Sequence, residues 1–196
     1  MDENTEFRTE LEVKWLRVLM YIAITSLVNS LVDYLPFVPP AVTTWVSRGI
    51  MLAMAVCMLQ MAPANKRYRT AGIMRAIMLG CALFTAFVSG STILTLTASI
   101  VSIIAVYQEY CAHSELIGEK DQKLAGKWHT LFTWTFLATV ILSFGTTVVA
   151  VLLVLLDPDV NASLVSGIAI ALLSIPPMIL QVIYLSYLKK MIGILE

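Results

Sequence analysis

Charged side chains are scarce in this sequence, in which Asp, Glu, Lys and Arg together account for 13% of 196 residues. Hydrophobic residues account for 59%, and the mean hydropathy is +0.84. A soluble domain of this length leaves much of its surface in water, so it cannot hide so large an apolar fraction. The scarcity of charge therefore excludes an ordinary soluble protein and predicts an integral membrane protein in contact with a lipid bilayer.

Cysteine pairs and the common catalytic motifs are missing as well. Cys57, Cys81 and Cys111 lie in separate segments with no CxxC spacing, which argues against a disulfide framework and a paired-cysteine metal site. The sequence contains no GxGxxG, Walker or HExxH motif, and its formal net charge of zero gives no electrostatic basis for binding nucleic acid. We therefore expect neither an enzyme nor a bound cofactor or metal.

A signal-peptide start is also missing, because residues 1–12 are acidic and polar rather than basic. What the chain does contain is six apolar stretches, and a helix needs roughly 20 such residues to cross a hydrocarbon core of ~30 Å. Ser89, Gly90 and Ser91 provide a turn between the third stretch and the fourth. We predict an all-α bundle of six spans that forms a single transmembrane domain over residues 1–196, with spans near 15–35, 42–62, 71–89, 92–112, 130–156 and 163–188.

The distribution of basic residues gives this bundle an orientation. With six spans, twelve of the thirteen Lys and Arg residues fall on one side of the membrane, and only Arg48 falls on the other. The positive-inside rule then places both termini in the cytoplasm. Short loops and the missing signal peptide fit a bacterial cytoplasmic membrane. Trp15, Trp45 and Trp128 lie at predicted helix ends, where tryptophan anchors a helix at the membrane surface.

Polar side chains form a stripe on each of two consecutive spans. On the fourth span they fall within an arc of roughly 100° and comprise Thr92, Thr95, Ser99, Ser102, Glu109 and His113. On the fifth span they cover roughly 80° and comprise Thr135, Thr139, Ser143 and Thr146. Two interpretations are open: the stripes line a polar cleft, or their hydroxyls bond to backbone carbonyls and hold the helices together.

A polar group is also predicted toward the non-cytoplasmic side. Ser26, Asn29 and Asp33 share one face of the first span, and Arg48 lies early in the second. An unpaired charge in lipid costs roughly 3 kcal/mol on insertion scales, so we expect Asp33 and Arg48 to pair. Such a pair either binds the charged end of a solute or serves only as a structural ion pair.

A second ionisable group is predicted toward the cytoplasmic side, and it comprises Arg75, Glu109, His113, Glu115 and His129, with Gln181, Tyr184 and Tyr187 on the last span. Glu109 and His113 are one helical turn apart, close enough to share a hydrogen bond or a proton. Pro176 and Pro177 lie within the sixth span, where proline removes backbone donors and predicts a break or kink. Such breaks often adjoin binding sites in transporters, although a static kink has the same sequence pattern.

These patterns favour a protein that binds or transports a small solute through a polar cleft between helices, as a transporter or a membrane-embedded substrate-binding subunit. The expected solute-binding residues are Asn29, Asp33, Arg48, Ser99, Ser102, Glu109, His113, Thr139, Ser143 and Gln181. The alternative is a membrane regulatory, sensory or assembly protein. It is supported by the acidic N-terminal segment and the mixed-charge loop 114–127, which are available to a cytoplasmic partner.

Overall fold

The computed structural model describes residues 3–33, 35, 37–85, 92–156 and 162–196. Side chains are described within these ranges except at 3–9, 92, 143, 144, 146, 147 and 149–174. Over the described residues the fold is all-helical, and its helices are α1 (Glu3–Val32), α2 (Pro40–Gln60), α3 (Lys66–Phe84), α4 (Thr92–Gly118), α5 (Gln122–Leu156) and α6 (Ala162–Leu195). Each of the six apolar stretches overlaps one of these helices, while the turn expected at 89–91 lies outside the described residues.

Several of these helices are long and apolar enough to cross a membrane. A search of the described residues finds four such segments: Glu10–Val32, Pro40–Gln60, Ile93–Gly118 and Ile175–Leu195. The chain is therefore a multi-pass α-helical membrane protein.

Local sequence explains where three of the helices begin. Pro40 is the first residue of α2. The fixed φ of proline suits a helix, and an N–H group at this position would have no hydrogen-bond partner within the helix, so its absence costs nothing. Asn65 caps α3 by accepting a hydrogen bond from the backbone N–H of Arg67 at 2.8 Å. Asp121 caps α5 in the same way, through the N–H of Leu124 at 2.8 Å. These caps satisfy backbone donors that a helix start leaves unpaired.

The helices form a closed ring. Each helix packs against the next one in the chain, and α1 packs against α6. Successive helices run in opposite directions, so the start of α1 lies beside the ends of α2, α4 and α6. At that end, which we call the packed end, buried side chains form the core and include Leu16, Met61, Tyr68, Ile117, Leu124, Leu188 and Met191. At the opposite end, which we call the open end, large apolar side chains are exposed and include Phe37, Trp45, Phe84 and Ile93.

Gly72 allows α2 and α3 to touch. A Cβ atom at this position would lie 2.8 Å from Leu59 Cγ and 3.1 Å from the carbonyl oxygen of Ala55. A Cβ atom at Gly80, two turns further along α3, would meet nothing within 4 Å. The close approach of the two helices therefore depends on the missing side chain of Gly72.

The prediction that Trp128 anchors a helix at the membrane surface is wrong. This side chain is fully buried, and its ring lies 4.6 Å from that of His113 and 5.5 Å from that of Tyr184, between centroids. The reason is that α5 begins at Gln122, two turns before the predicted span. Trp128 therefore lies inside the helix and faces the core instead of the membrane surface.

The two prolines of α6 do not interrupt it. The helix continues from Ala162 to Leu195 with Pro176 and Pro177 inside it, so the expected break is not found, and a kink stays a prediction. The N–H groups that proline lacks would have bonded the carbonyls of Leu172 and Leu173, four residues earlier. The helix therefore remains continuous without these two hydrogen bonds.

Candidate functional site

A cavity of about 220 Å³ lies in the middle of the helix ring. All six helices contribute to its wall, and the lining residues are Ala23, Ser26, Met54, Arg75, Val106, Glu109, Tyr110, Thr135, Gln181 and Tyr184. We call it the central cavity. Several of these side chains are polar, although the cavity lies within a bundle of apolar helices. Polar groups at such a depth are costly in a membrane protein and usually mark its functional site.

A buried ion pair between α3 and α4 forms part of the wall. A guanidinium Nη2 of Arg75 donates a hydrogen bond to Oε2 of Glu109. Glu109 is 1% exposed and Arg75 is 9% exposed. Two isolated charges at this depth would each carry a large desolvation cost, and the pairing reduces that cost.

Two tyrosines and a histidine extend this pair into a network. The Tyr184 hydroxyl donates to the other carboxylate oxygen of Glu109 at 2.6 Å. His113 Nε2 lies 3.4 Å from that hydroxyl and 3.8 Å from the carboxylate, while His113 Nδ1 lies 2.7 Å from the Tyr68 hydroxyl. We call Arg75, Glu109, His113, Tyr184 and Tyr68 the buried cluster.

One assignment of protons satisfies every hydrogen bond of this cluster. If His113 is neutral with its proton on Nε2, Tyr68 donates to Nδ1 and Nε2 donates to Tyr184. Tyr184 is then free to donate to Glu109. Protonation of His113 would instead make Nδ1 a donor to Tyr68 and Nε2 a donor toward Glu109. The Tyr68 hydroxyl would then lose its acceptor at Nδ1, so the neutral form is the one that satisfies the cluster.

Aromatic rings close the cluster on the side of the packed end. Tyr110 stacks on Tyr184 with centroids 5.6 Å apart, and Trp128 packs edge-on against both rings. His113 and Trp128 are fully buried. The central cavity is consequently separated from the packed end by a layer of well-packed side chains.

Among the described residues, the buried polar atoms of the cavity wall that have no hydrogen-bond partner include Arg75 Nε and Gln181 Oε1. One is a donor and the other is an acceptor. Leaving such an atom unsatisfied costs about 1–3 kcal/mol. The cavity wall therefore offers both kinds of hydrogen bond to a bound molecule.

A second, larger space lies between α4 and α5. Its volume is about 700 Å³, and its lining includes Leu96, Ser99, Ser102, Phe132, Phe136 and Thr139. We call it the α4–α5 groove. A comparison of the chain with protein-family models, curated proteins and solved structures gives no significant match. The assignment of function therefore depends on the geometry of the chain itself.

The structure brings together two parts of the expected site. Glu109 and Gln181 both line the central cavity, with His113 directly behind Glu109. Ser99, Ser102 and Thr139 line the α4–α5 groove. However, the hydroxyls of Ser99 and Thr139 donate to carbonyls of their own helices at 3.0 and 2.8 Å, as the second interpretation of the stripes expects. Ser143 belongs to α5, and its side chain lies outside the described ones.

The expected outer pair is not formed. Asp33 accepts a hydrogen bond from the Thr43 hydroxyl at 2.6 Å. Arg48 donates to the carbonyl oxygen of Ala82 at 3.3 Å and lies over the Trp45 ring at 4.6 Å. The reason is helix geometry: Arg48 is five residues beyond Thr43, about 7.5 Å along α2, and it reaches α3 instead of α1.

Asn29 has a structural partner as well, because its amide donates to the Ser47 hydroxyl at 2.9 Å. Neither Asn29, Asp33 nor Arg48 lines the central cavity. These three residues therefore join α1 to α2 and α2 to α3 near the open end. Their contacts resemble the structural interpretation more than the solute-binding one.

Arg75 and Tyr184 belong to the ionisable group predicted toward the cytoplasmic side but not to the expected solute-binding residues, and Tyr68 belongs to neither set. A usable signal was present for Arg75. It lies within the third apolar stretch, and Glu109 lies within the fourth. Charges inside consecutive spans must find partners, so this pair was a better candidate than Asp33 with Arg48.

Proposed function

We propose that this protein spans the membrane six times, with both termini in the cytoplasm, and binds a small solute whose polar group occupies the central cavity. Transport of that solute across the membrane is the activity that the ring of six helices supports best. The observation that carries the proposal is the central cavity itself. All six helices line it, and its wall contains a buried ion pair together with an unsatisfied donor and acceptor.

The orientation is supported by the charges at the packed end. Ion pairs join α1 to the C-terminal residue, α3 to α4, and the α4–α5 connection to α6, through Arg17–Glu196, Arg67–Glu115 and Lys190–Asp121. This end carries most of the basic residues, which the positive-inside rule associates with the cytoplasm. The open end would then face the opposite side of the membrane.

The chemistry of the cavity wall limits the solute. The charge of Arg75 is balanced by Glu109, so the wall gives little attraction to a simple ion. A volume of about 220 Å³ is below the ≈ 300–1,000 Å³ of typical ligand pockets. The bound group is therefore small, without net charge, and able both to donate and to accept a hydrogen bond.

In the proposed transport cycle, the buried cluster and its aromatic layer close one side of the central cavity. In this conformation the packed end seals the cavity from the cytoplasm through Tyr110, Trp128 and Tyr184. Release toward the cytoplasm requires this layer to separate. A solute that replaces part of the hydrogen bonding around Glu109 would lower the cost of that separation.

Native mass spectrometry of the protein extracted in a mild detergent tests this proposal. A small molecule retained by the wild type should be lost in Glu109→Gln, because the substitution removes the charge that balances Arg75. Glu115→Gln is the matched control, since it changes the same residue type on the same helix in an exposed pair with Arg67. Size-exclusion chromatography checks that both variants remain folded.

Equal retention of the molecule in all three proteins would contradict a site at Glu109. A protein that copurifies with the chain, without any small molecule, would favour a regulatory or assembly role instead. Loss of the molecule in both variants would point to a general loss of structure, which thermal unfolding would reveal.

A further inference from the structure

The α4–α5 groove has a mainly apolar surface, although several residues that line it carry hydroxyl groups. Leu96, Ile103 and Phe136 belong to its lining. The hydroxyls of Ser99 and Thr139 donate to backbone carbonyls within their own helices. A polar solute would therefore gain little from these two hydroxyls, whereas a hydrocarbon chain would make favourable packing contacts with the apolar lining.

The groove and the central cavity are contiguous. Val106 of α4 and Thr135 of α5 line both spaces. Val106 lies three residues before Glu109, and residues at this spacing share one face of a helix. The groove therefore leads along α4 directly to the polar wall of the central cavity.

Aromatic side chains line the connection between the α4–α5 groove and the central cavity. Phe132 lines the groove, packs edge-on against Tyr107 with centroids 5.1 Å apart, and stacks on Phe136 at 6.2 Å. Tyr110, which lines the central cavity, lies 6.4 Å from the same Phe132 ring. One continuous set of rings thus connects the apolar space with the polar one.

The two spaces differ in size as well as in chemistry. The apolar groove, about 700 Å³, is about three times as large as the central cavity, about 220 Å³. A single molecule that occupies both needs a large apolar part and a small polar part. A lipid tail alone would leave Arg75 Nε and Gln181 Oε1 unsatisfied, and a small polar solute alone would leave the groove unused.

We infer that the ligand is a single-chain amphiphile, and this inference rests on the proposed function. Its apolar chain lies in the α4–α5 groove, and its small head group reaches the central cavity. There the head group accepts a hydrogen bond from Arg75 Nε and donates one to Gln181 Oε1. The ligand enters sideways from the bilayer between α4 and α5, so its chain remains in an apolar environment throughout.

Photolabelling of the full chain in lipid nanodiscs tests this inference. The probe is a long-chain primary fatty amide with a diazirine near the end of its chain, since a primary amide is uncharged and both donates and accepts hydrogen bonds. We expect cross-links to concentrate on residues of the α4–α5 groove. An excess of unlabelled fatty amide should compete for them, whereas the plain hydrocarbon of equal length should not.

A matched pair of variants on α4 tests whether the labelling takes place in the groove. Ala98→Trp fills the groove, which Ala98 lines, and should reduce the labelling by about tenfold or more. Thr97→Trp, one residue earlier, changes an exposed side chain outside the groove and should leave the labelling unchanged. Ser102→Trp is a second groove-filling variant, for use if Ala98→Trp does not fold.

Even labelling of the lipid-facing sides of all helices, unaffected by Ala98→Trp, would show bulk lipid only and overturn the inference. Groove labelling that persists at full strength in Gln181→Leu would contradict the placement of the head group. If Glu109→Gln loses its copurified molecule while Ala98→Trp retains it, the proposed function stands and the amphiphile is wrong.

Discussion

The packed end and the open end of the ring are built from similar apolar residues, yet they differ in how closely those residues meet. At the packed end, Leu16, Ile117 and Leu188 are fully buried against neighbouring helices. At the open end, Phe84 and Ile93 are exposed, and the α4–α5 groove separates two helices. Lipid solvates apolar side chains as well as other helices do, so close packing and buried polar bonds must hold the bundle together. The difference indicates that stability resides mainly in the packed end, which leaves the open half free to accommodate a ligand.

The largest effect is expected where the two regions meet, at the buried cluster. Glu109→Leu would leave the Arg75 charge buried without its partner. Breaking a buried pair in this way costs about 3–5 kcal/mol. We expect the free energy of unfolding, measured by denaturant titration in mixed micelles, to fall by that amount.

A double variant separates stability from function. Arg75→Met combined with Glu109→Leu removes both charges, and such replacements are often neutral or stabilising. We expect the double variant to recover most of the lost stability and still to bind no solute. A double variant as unstable as Glu109→Leu alone would show that the ion pair is not the source of the loss.

The core of the packed end gives the next largest effect. Ile117 is 0% exposed and Ile93 is 79% exposed, so the same substitution can be compared in both regions. Ile117→Ala should cost about 2–5 kcal/mol, because it removes contacts and leaves a cavity. Ile93→Ala should change stability by less than about 0.5 kcal/mol. Similar losses in thermal unfolding at the two positions would refute the division between the packed end and the open end.

This comparison also shows what the sequence could predict. Hydropathy alone locates the apolar stretches, because a helix that crosses lipid must satisfy its own backbone and present apolar side chains. It does not determine which face of a helix meets a neighbour, since in lipid both faces are apolar. For this reason the sequence predicts that Trp128 anchors a helix at the membrane surface, whereas in the structure Trp128 is a core residue.

The site was predictable in part for a related reason. Glu109 and Gln181 are polar residues within apolar stretches, and the structure places both at the central cavity. The partner of a charge is harder to predict, because it depends on helix register and direction. Asp33 and Arg48 have a similar predicted depth, but in the structure Thr43 is the partner of Asp33, and Arg48 contacts Ala82.

Helix contact at the α2–α3 boundary gives a smaller predicted effect. Gly72→Ala places a Cβ atom against Leu59 and the Ala55 carbonyl, whereas Gly80→Ala meets open space. Both changes gain similar helix propensity, which cancels in the comparison. We expect Gly72→Ala to be less stable than Gly80→Ala by about 1–3 kcal/mol, the usual cost of overpacking. Equal melting temperatures for the two variants would show that α2 can move aside without loss.

The smallest effect is expected at the second ion pair between α3 and α4. Glu115 accepts hydrogen bonds from Arg67 at 2.6 Å and from Asn65 at 2.8 Å, so both donors are well placed. Its environment differs, because Glu115 and Arg67 are both well exposed, and water screens an exposed pair. Glu115→Gln should therefore cost less than about 1 kcal/mol, as measured by the same denaturant titration. If Glu115→Gln lowered the free energy of unfolding as much as Glu109→Leu, the contacts of α3 and α4 at the packed end, more than the buried cluster, would hold these two helices in register.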